Sequence, residues 1–403
     1  MTSGASVELS PAVEAAVTLL RAALAAEADA DGSSSTELAA IDPMVWPEVL
    51  DQLAEQRVAA PVARTADRLG LPDEIRADLR GIGLAEAQLS LRVQATAAVV
   101  VGGLNDAGIR CLTYKGVALA AATTGDPTAR GGGDVDILVH PDDVPAAYDW
   151  LIAEGATFIA GYCPDPHSDL WRYGRRLDCE FPLRWRGIDI DLHWRIDRLP
   201  QIASMSFDDM WEHRQSVRIA GRDLPTLGAV DALLITCAHG TKEHWRQWRW
   251  VVDMVRQARL VEDWAPVRRR ARETGTEAAL AIGLAMHEHL APLPGTLDRL
   301  PGPGPRRLAD WAWQNSCVGA APFGRVALEA QLARMRWSTA TLPSGGALAS
   351  YLVREGWTAL DMAEFPMPRS LAWAYPLVRP YLWGRRLVTG RYGAAALAER
   401  HAQ

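Results

Sequence analysis

Asp134-Val135-Asp136-Ile137-Leu138-Val139 is the stretch of the sequence that decides the fold prediction. Asp134 and Asp136 are two positions apart, so on a β-strand both carboxylates point to one side of the sheet while the alternate apolar residues point to the other. The preceding Gly131-Gly132-Gly133 allows a tight turn that side chains would obstruct. Two carboxylates in register beside a glycine turn predict a cradle for Mg²⁺. The pattern is weak when taken alone, because exposed acids are common on strands.

The composition is that of an ordinary globular protein with two or three domains: 403 residues, of which 49% are hydrophobic and 23% charged. The net charge of −7 argues against non-specific binding to a polynucleotide backbone. Five scattered cysteines without C-x-x-C spacing predict reduced thiols, not a disulfide framework or a zinc site. No N-terminal signal peptide and no apolar run of about 18 residues can be seen, so we expect a cytoplasmic protein without a membrane span.

Lysine is rare in this chain. Of 42 lysine and arginine residues, only Lys115 and Lys242 are lysine. In a sequence rich in Ala, Arg and Gly, retained lysines are candidates for positions that need a compact ammonium group, which a planar guanidinium cannot replace. Chance survival is the alternative, but both lysines lie within motifs that other features single out. We therefore predict that both ammonium groups face a common anion.

The pattern along the chain predicts three regions: a helical N-terminal region at 1–107, a core of strands and short helices at 108–206, and a helical C-terminal region at 207–403. The N-terminal region carries no catalytic cluster, so we expect a helical cap or an interaction domain. No role can be read for residues 262–403.

A strand, a glycine and a helix follow one another near Lys115. Residues 109–114 are predicted to form a strand and 117–122 a helix, with Lys115-Gly116 at the turn. The free N–H groups and the positive dipole of a helix N-terminus bind anions, and Lys115 would add a point charge for a triphosphate. An ordinary strand-to-helix turn is the alternative, because the spacing is that of neither a P-loop nor a dinucleotide fingerprint.

Two further strands, at about 176–185 and 187–194, are predicted to form a hairpin that turns at Arg186-Gly187. Apolar residues of the second strand alternate with polar ones, which therefore share a face. The residues on that polar face are Asp189, Asp191 and His193. One of the two aspartates would supply a third carboxylate beside the first two; a solvated strand face is the alternative.

The predicted helix at 231–259 carries polar and aromatic residues. His239 and Lys242 are three positions apart and share a helix face. A metal site formed by His239, His244 and Asp253 is disfavoured, because its spacing matches no usual zinc pattern. Three tryptophans are expected mainly in the core but could offer a face on which a base stacks. These are Trp245, Trp248 and Trp250.

As a set, these motifs resemble the polymerase-β-like nucleotidyltransferase superfamily, and more narrowly the family described as uncharacterised nucleotidyltransferase. The likeness covers about residues 40–260. The matching strings are Tyr114-Lys115-Gly116-Val117-Ala118-Leu119, Arg130 with the stretch at 134–139, Asp191-Leu192-His193-Trp194 and His239-Gly240-Thr241-Lys242-Glu243-His244-Trp245.

The resemblance implies an α+β fold, in which a small mixed-sheet nucleotidyltransferase core is flanked by N- and C-terminal helical regions. It implies that Asp134, Asp136 and Asp191 are catalytic and bind metal, with two Mg²⁺ ions as cofactor and a nucleoside triphosphate, ATP among them, as substrate. The residues expected to contact the nucleotide are Lys115, Gly116, Arg130, His193, His239 and Lys242. This chain has Val117 where the superfamily has a serine or glycine, so one hydroxyl contact to phosphate is missing.

The resulting hypothesis is Mg-dependent transfer of a nucleoside monophosphate to an acceptor hydroxyl, with release of pyrophosphate. The acceptor is expected to be a small molecule or a peptide and not a nucleic acid. The alternative is a catalytically silent nucleotide-binding or scaffold protein with the same fold. The acceptor and the base of the nucleotide cannot be read from the sequence.

Overall fold

A computed structural model describes residues 9–28, 35–158, 169–199, 203–293, 302–318, 336–337, 340–341, 345–357, 359–365 and 367–389. Within these residues the strands are β1 (Cys111–Tyr114), β2 (Asp134–Val139), β3 (Thr157–Phe158), β4 (Glu180–Trp185), β5 (Ile188–His193), β6 (Gln215–Ile219) and β7 (Arg222–Thr226).

The helices up to the last strand are α1 (Pro11–Glu27), α2 (Ser35–Ala39), α3 (Trp46–Glu55), α4 (Ala59–Thr65), α5 (Asp73–Asp106), α6 (Gly116–Thr124), α7 (Val144–Ala153), α8 (Asp169–Leu177) and α9 (Phe207–Glu212). After it come α10 (Ala229–Lys242), α11 (Trp248–Arg259), α12 (Trp264–Thr274), α13 (Glu277–His287), α14 (Pro303–Val318), α15 (Gly345–Gly356), α16 (Ala359–Glu364) and α17 (Tyr375–Thr389).

The strands form one mixed sheet of seven in the order β3-β4-β5-β2-β1-β7-β6. The two acid-bearing strands, β2 and β5, are parallel neighbours near its centre, and β2 is antiparallel to β1 on its other side. Helices cover both faces of the sheet, each through an apolar core of its own. The predicted fold class, a small mixed sheet flanked by helices, is therefore confirmed.

The N- and C-terminal helices share one apolar core. Residues of α1, α3 and α4 lie in the same buried cluster as residues of α10, α11, α13 and α14. Gln56, just after α3, accepts a hydrogen bond from the backbone N–H of Trp248 at 3.0 Å and donates one to the carbonyl of Ser316 at 2.9 Å. The predicted division into regions at 1–107, 108–206 and 207–403 stays a proposal. The helices α1, α3 and α4 pack with α10, α11, α13 and α14 in one layer.

Two elements differ from the prediction. The β6–β7 hairpin lies in the segment after residue 206 that we expected to be helical; Ala220 and Gly221 turn it with positive φ angles of 47° and 81°. The helix predicted at 231–259 is two helices, because the chain reverses after Lys242. The Trp245 N–H donates to the carbonyl of Gly240 at 2.7 Å, which closes the turn at the helix end.

Helix α5 is long and apolar. By length and composition it is the one described helix that could cross a membrane, and 56% of its apolar window is buried within the protein. A buried core helix passes the same test, and the C-terminal half of α5 packs against the sheet through Val93, Val101 and Leu104.

Candidate active site

The two central strands bring their acids together. β2 and β5 pair in parallel register, with Asp136 opposite Asp191 and Asp134 opposite Asp189. A carboxylate oxygen of Asp136, one of Asp191 and a ring nitrogen of His193 lie within 4.8 Å of one another. The sequence-predicted acid pair and the third carboxylate thus share one face of the sheet.

Asp136 is buried between two partners. Its Oδ1 lies 3.2 Å from the Lys115 ammonium and 3.1 Å from Nε2 of His193. Burial raises the pKa of Asp136, but the charge of Lys115 and the hydrogen bond from His193 lower it by more, so this pKa lies well below the usual range. Asp136 is therefore a fixed anion at the centre of the site.

The geometry distinguishes the two aspartates of β5. Asp189 is held by Arg184 of β4, at 2.6 and 3.1 Å, and lies toward the exposed end of the strand. Burial and the negative charges of Asp136 and Glu180 raise the pKa of Asp191 to about 8. Asp191 is therefore the aspartate that belongs to the acid cluster.

Lys115 and Gly116 form a tight turn at the start of α6. Both have positive φ angles, 56° and 40°, and no side chain caps the first turn of the helix. For a lysine this is a sparsely populated conformation of the kind found at functional sites. Burial lowers the pKa of Lys115, but Asp136 and Glu180 raise it by more, so the ammonium group stays charged. The turn thus presents a cation and uncapped N–H groups together.

Glu180 belongs to this cluster and was missed in the sequence. It lies opposite His193 in the antiparallel register of β4 and β5. Its Oε2 is 3.1 Å from Nδ1 of His193, so the buried ring lies between two carboxylates. In the structure the ring of His193 contacts Asp136 and Glu180, and the predicted contact of His193 with the nucleotide stays a prediction.

His239 and Lys242 lie at one side of the site. The charges of Lys115 and Lys242, after burial, lower the pKa of His239 well below its usual value. Desolvation by the surrounding protein lowers the pKa of Lys242, although its side chain is exposed, and nearby Cys179, Asp197 and Glu180 raise this pKa by more, to above its ordinary value. The two lysines are close enough for Lys242 to lower the pKa of Lys115. The structure therefore brings both lysines to the Glu180 side of the cluster, with Lys242 on the exposed rim.

Arg130 is buried beside the glycine turn. Its Nε lies 2.8 and 2.9 Å from the two carboxylate oxygens of Asp253, on α11. Both carboxylate oxygens of Asp253 are therefore occupied by its ion pair with Arg130. The metal site of His239, His244 and Asp253, which the sequence disfavours, is not among the possible metal-binding groups of the described residues. The glycine turn is close-fitting as well: a Cβ on Gly131 would lie 3.1 Å from Oε2 of Glu86.

The three tryptophans that could have offered a stacking face are in the core. Trp245 and Trp248 are fully buried and Trp250 is 4% exposed, so they are not available to a base. The ring of Trp250 instead packs edge-on against His239, with centroids 5.2 Å apart.

The donor set fits a hard divalent cation. Two carboxylates from neighbouring strands converge on one point, and Asp134 stands two residues before Asp136 on the same strand face. Carboxylate oxygens suit a hard divalent cation such as Mg²⁺, and a ring nitrogen of His193 belongs to the same group of possible ligands. Asp136 already bonds Lys115 and His193 through Oδ1, which leaves its other oxygen for such an ion.

Comparison with known proteins gives two matches. A family model described as uncharacterised nucleotidyltransferase matches residues 42–292, which is more than half of the chain. The crystal structure of an antigenic nucleotidyltransferase-like protein from Paracoccidioides brasiliensis is similar over 51% of this chain and 96% of that chain, with 15% identity and a TM-score of 0.31. Among curated proteins there is no match.

Proposed function

The chain belongs to the uncharacterised nucleotidyltransferase family, as the resemblance predicted, and from this we propose that it transfers a nucleoside monophosphate from a nucleoside triphosphate to an acceptor hydroxyl, releasing pyrophosphate. The observation that carries the proposal is the parallel register of β2 and β5, which sets Asp136 against Asp191 with Lys115 in contact. Paired acids beside a cation and a free helix N-terminus are the parts that phosphoryl chemistry uses.

In this proposal each residue has one task. Asp134, Asp136 and Asp191 would hold Mg²⁺, two ions in the full site, whose charge would lower the pKa of the attacking hydroxyl and offset charge on the phosphates. Lys115 and the N–H groups of the Gly116 turn bind phosphate oxygens.

The remaining tasks concern the proton and the orientation of the acids. A carboxylate oxygen of Asp191 accepts the proton of the acceptor hydroxyl. His193 positions Asp136 through their 3.1 Å contact, and His239 and Lys242 add positive charge at the rim.

The net charge of −7 supports a small molecule or a peptide, and not a nucleic acid, as the acceptor. A cytoplasmic location, expected from the cysteine pattern, is part of the same proposal.

The test is incubation with each α-labelled nucleoside triphosphate, Mg²⁺ and extract of the cells that encode the protein. We expect labelled acceptor and an equal amount of pyrophosphate, both abolished by EDTA. Binding of a nucleotide without turnover against a broad panel of hydroxyl acceptors would instead favour the scaffold alternative.

A further inference from the structure

One ring nitrogen of His193 has no hydrogen-bond partner in the described part of the chain. The residue is 2% exposed, and its Nε2 lies 3.1 Å from Oδ1 of Asp136. An ionised carboxylate only accepts hydrogen bonds, so Nε2 carries the proton of this contact. In the neutral ring Nδ1 then has an unshared electron pair, and this atom is buried without a partner.

Two further metal-binding atoms lie beside Nδ1 of His193. Oε2 of Glu180 is 3.1 Å from Nδ1, but the direction of this contact is not that of a hydrogen bond. The Cys179 sulfur lies 3.9 Å from the same Oε2. A ring nitrogen, a carboxylate oxygen and the sulfur are all within 4.8 Å of one another. Two electron-rich atoms this close, Nδ1 and Oε2, repel each other unless a cation lies between them.

No side chain supplies that cation. Lys115 makes its ion pair with Asp136. Among the described residues, the ion-pair contact of Glu180 is with His193 alone. The three ligand atoms therefore face one another around a point that no ammonium or guanidinium group occupies.

We propose that Cys179, Glu180 and His193 bind a Zn²⁺ ion through Sγ, Oε2 and Nδ1. Thiolate, carboxylate and imidazole are the ligands that zinc takes in proteins, with bonds of about 2.0–2.3 Å. Tetrahedral ligands at these lengths are about 3.4–3.6 Å apart, close to the observed separations of 3.1 and 3.9 Å. The thiol proton passes to solvent when the ion binds, and a water molecule completes the coordination.

The contact between His193 and Asp136 supports this site. A histidine that binds a metal through one nitrogen ordinarily donates its other N–H to a carboxylate, which fixes the ring and makes it a stronger ligand. Asp136 is placed as that carboxylate. The proposed zinc site and the acid cluster are thus joined through one imidazole ring.

The sulfur distinguishes this site from the proposed Mg²⁺ site. The acid pair offers carboxylate oxygens, whereas a thiolate prefers a softer cation. The Glu180 side chain is 37% exposed, so an ion reaches the site from solvent. The spacing of the cysteines predicted no zinc site, because Cys179 is brought beside His193 by the pairing of β4 with β5 and not by local spacing.

Titration of the metal-stripped full chain with Zn²⁺, in competition with a chromophoric chelator and with excess Mg²⁺ present, tests the proposal. Cys179→Ser and Glu180→Gln each remove one ligand, and Cys317→Ser, in the helical core, is the matched control. Co²⁺ is the second probe, because thiolate bound to Co²⁺ gives a charge-transfer absorption that oxygen ligands do not give. Circular dichroism checks that each variant is folded.

We expect wild type and Cys317→Ser to bind one Zn²⁺ ion per chain and to show the thiolate absorption with Co²⁺. Cys179→Ser should lose this absorption and bind Zn²⁺ at least about a hundredfold more weakly, since even removal of an outer partner costs about ten- to a hundredfold. Glu180→Gln should keep the absorption and bind Zn²⁺ at least about tenfold more weakly. Glu180→Gln decides the test if Cys179→Ser does not fold.

The inference is overturned if wild type shows no thiolate absorption with Co²⁺, if the folded ligand variants keep the wild-type affinity for Zn²⁺, or if Cys317→Ser loses as much affinity as they do. Nucleotide is absent from these titrations, so failure to bind Zn²⁺ leaves the proposed transfer reaction standing. Zinc binding that requires Cys179, in a protein that never transfers a nucleotide, would defeat the proposed function alone.

Discussion

The ammonium group of Lys115 is held in place by its own backbone turn and by Asp136. It is one of two lysines in the chain, its side chain is 20% exposed, and its Nζ lies 3.2 Å from Asp136. Arginine keeps the charge at this position but replaces a compact donor by a longer planar fork. The conservative substitution therefore tests whether the shape of the cation matters.

We predict that Lys115→Arg weakens binding of a nucleoside triphosphate by about tenfold, the loss expected for one charged hydrogen bond. Lys242→Arg should act in the same direction more weakly, since Lys242 lies on the exposed rim. Nucleotide titration followed by calorimetry gives both affinities. Equal affinity of Lys115→Arg and wild type would show that only the charge of Lys115 is used.

His287 predicts a pH dependence of stability away from the site. Burial lowers its pKa from 6.5 to about 4, and its Nδ1 lies 3.0 Å from the carbonyl oxygen of Ala291. Between these values the unfolded chain binds a proton that the folded protein does not, so stability is lost as pH falls from 6.5 toward 4. Urea unfolding at pH 7.5 and 5 should show wild type losing about 2 kcal/mol more than His287→Gln. An equal loss in both would contradict the assignment.

At the scale of single residues, the sequence predicted the groups that stand in recognisable strings. Lys115, Asp136, Asp191 and His193 all lie in one cluster, as their motifs suggested. Glu180 could not be found in this way. It is brought in by the register of a hairpin, which cannot be read from local spacing.

The reversal between α10 and α11 depends on Gly240. The fully buried Trp245 folds back so closely that a Cβ on Gly240 would lie 2.7 Å from two atoms of its indole ring. We predict that Gly240→Ala lowers the free energy of unfolding by about 1–3 kcal/mol through overpacking. Because the reversal directly follows Lys242, phosphate binding should weaken as well.

The matched control is Gly81→Ala in α5, where a Cβ would meet nothing within 4 Å. Alanine is the better helix former, so this variant should be as stable as wild type or up to about 1 kcal/mol more stable. Urea unfolding measures both. A Gly240→Ala protein as stable as Gly81→Ala would mean that Trp245 can move without cost.

Among the strands and helices, the sequence predicted the bounds correctly where the hydrophobic periodicity and the turn residues indicated the same element. β2 was predicted with its observed bounds, and the Arg186-Gly187 turn has the positive φ angles, 49° and 79°, of a tight hairpin. The reversal after Lys242 was missed because it uses positive φ at His244 and Trp245, where no glycine marks it. Apolar and polar residues alternate in β6 and β7, which indicates strands, but the segment after residue 206 is predicted as helical because of the longer helical patterns around it.

The shared apolar core joins the N-terminal helices to the helices α10, α11, α13 and α14. Arg256 of α11 is 4% exposed in its side chain and binds Glu27 of α1 at 2.6 Å. It also donates to the carbonyl of Ala129, next to the glycine turn, at 3.0 Å. This pair therefore links the N-terminal helices, the C-terminal helices and the site.

We predict that Glu27→Gln lowers the free energy of unfolding by about 3 kcal/mol, because it leaves a buried guanidinium unpaired. Far-UV circular dichroism should give the same transition as tryptophan fluorescence, which reports mainly on residues from 150 onward. Glu273→Gln, on an exposed surface pair, should change stability by less than about 1 kcal/mol. A separate early transition in dichroism alone would show that the N-terminal helices unfold independently.

The most direct test of the proposed metal-binding role of the acid pair is nucleotide transfer by Asp136→Asn. Asp189→Asn is the control, since Asp189 lies on the same strand face as Asp191 but is held by Arg184. Both variants, checked for folding by circular dichroism, are incubated with α-labelled nucleotide, Mg²⁺ and cell extract beside wild type. We expect transfer by wild type and Asp189→Asn, and at least about a thousandfold loss in Asp136→Asn. A folded Asp136→Asn protein with near wild-type transfer would contradict that role.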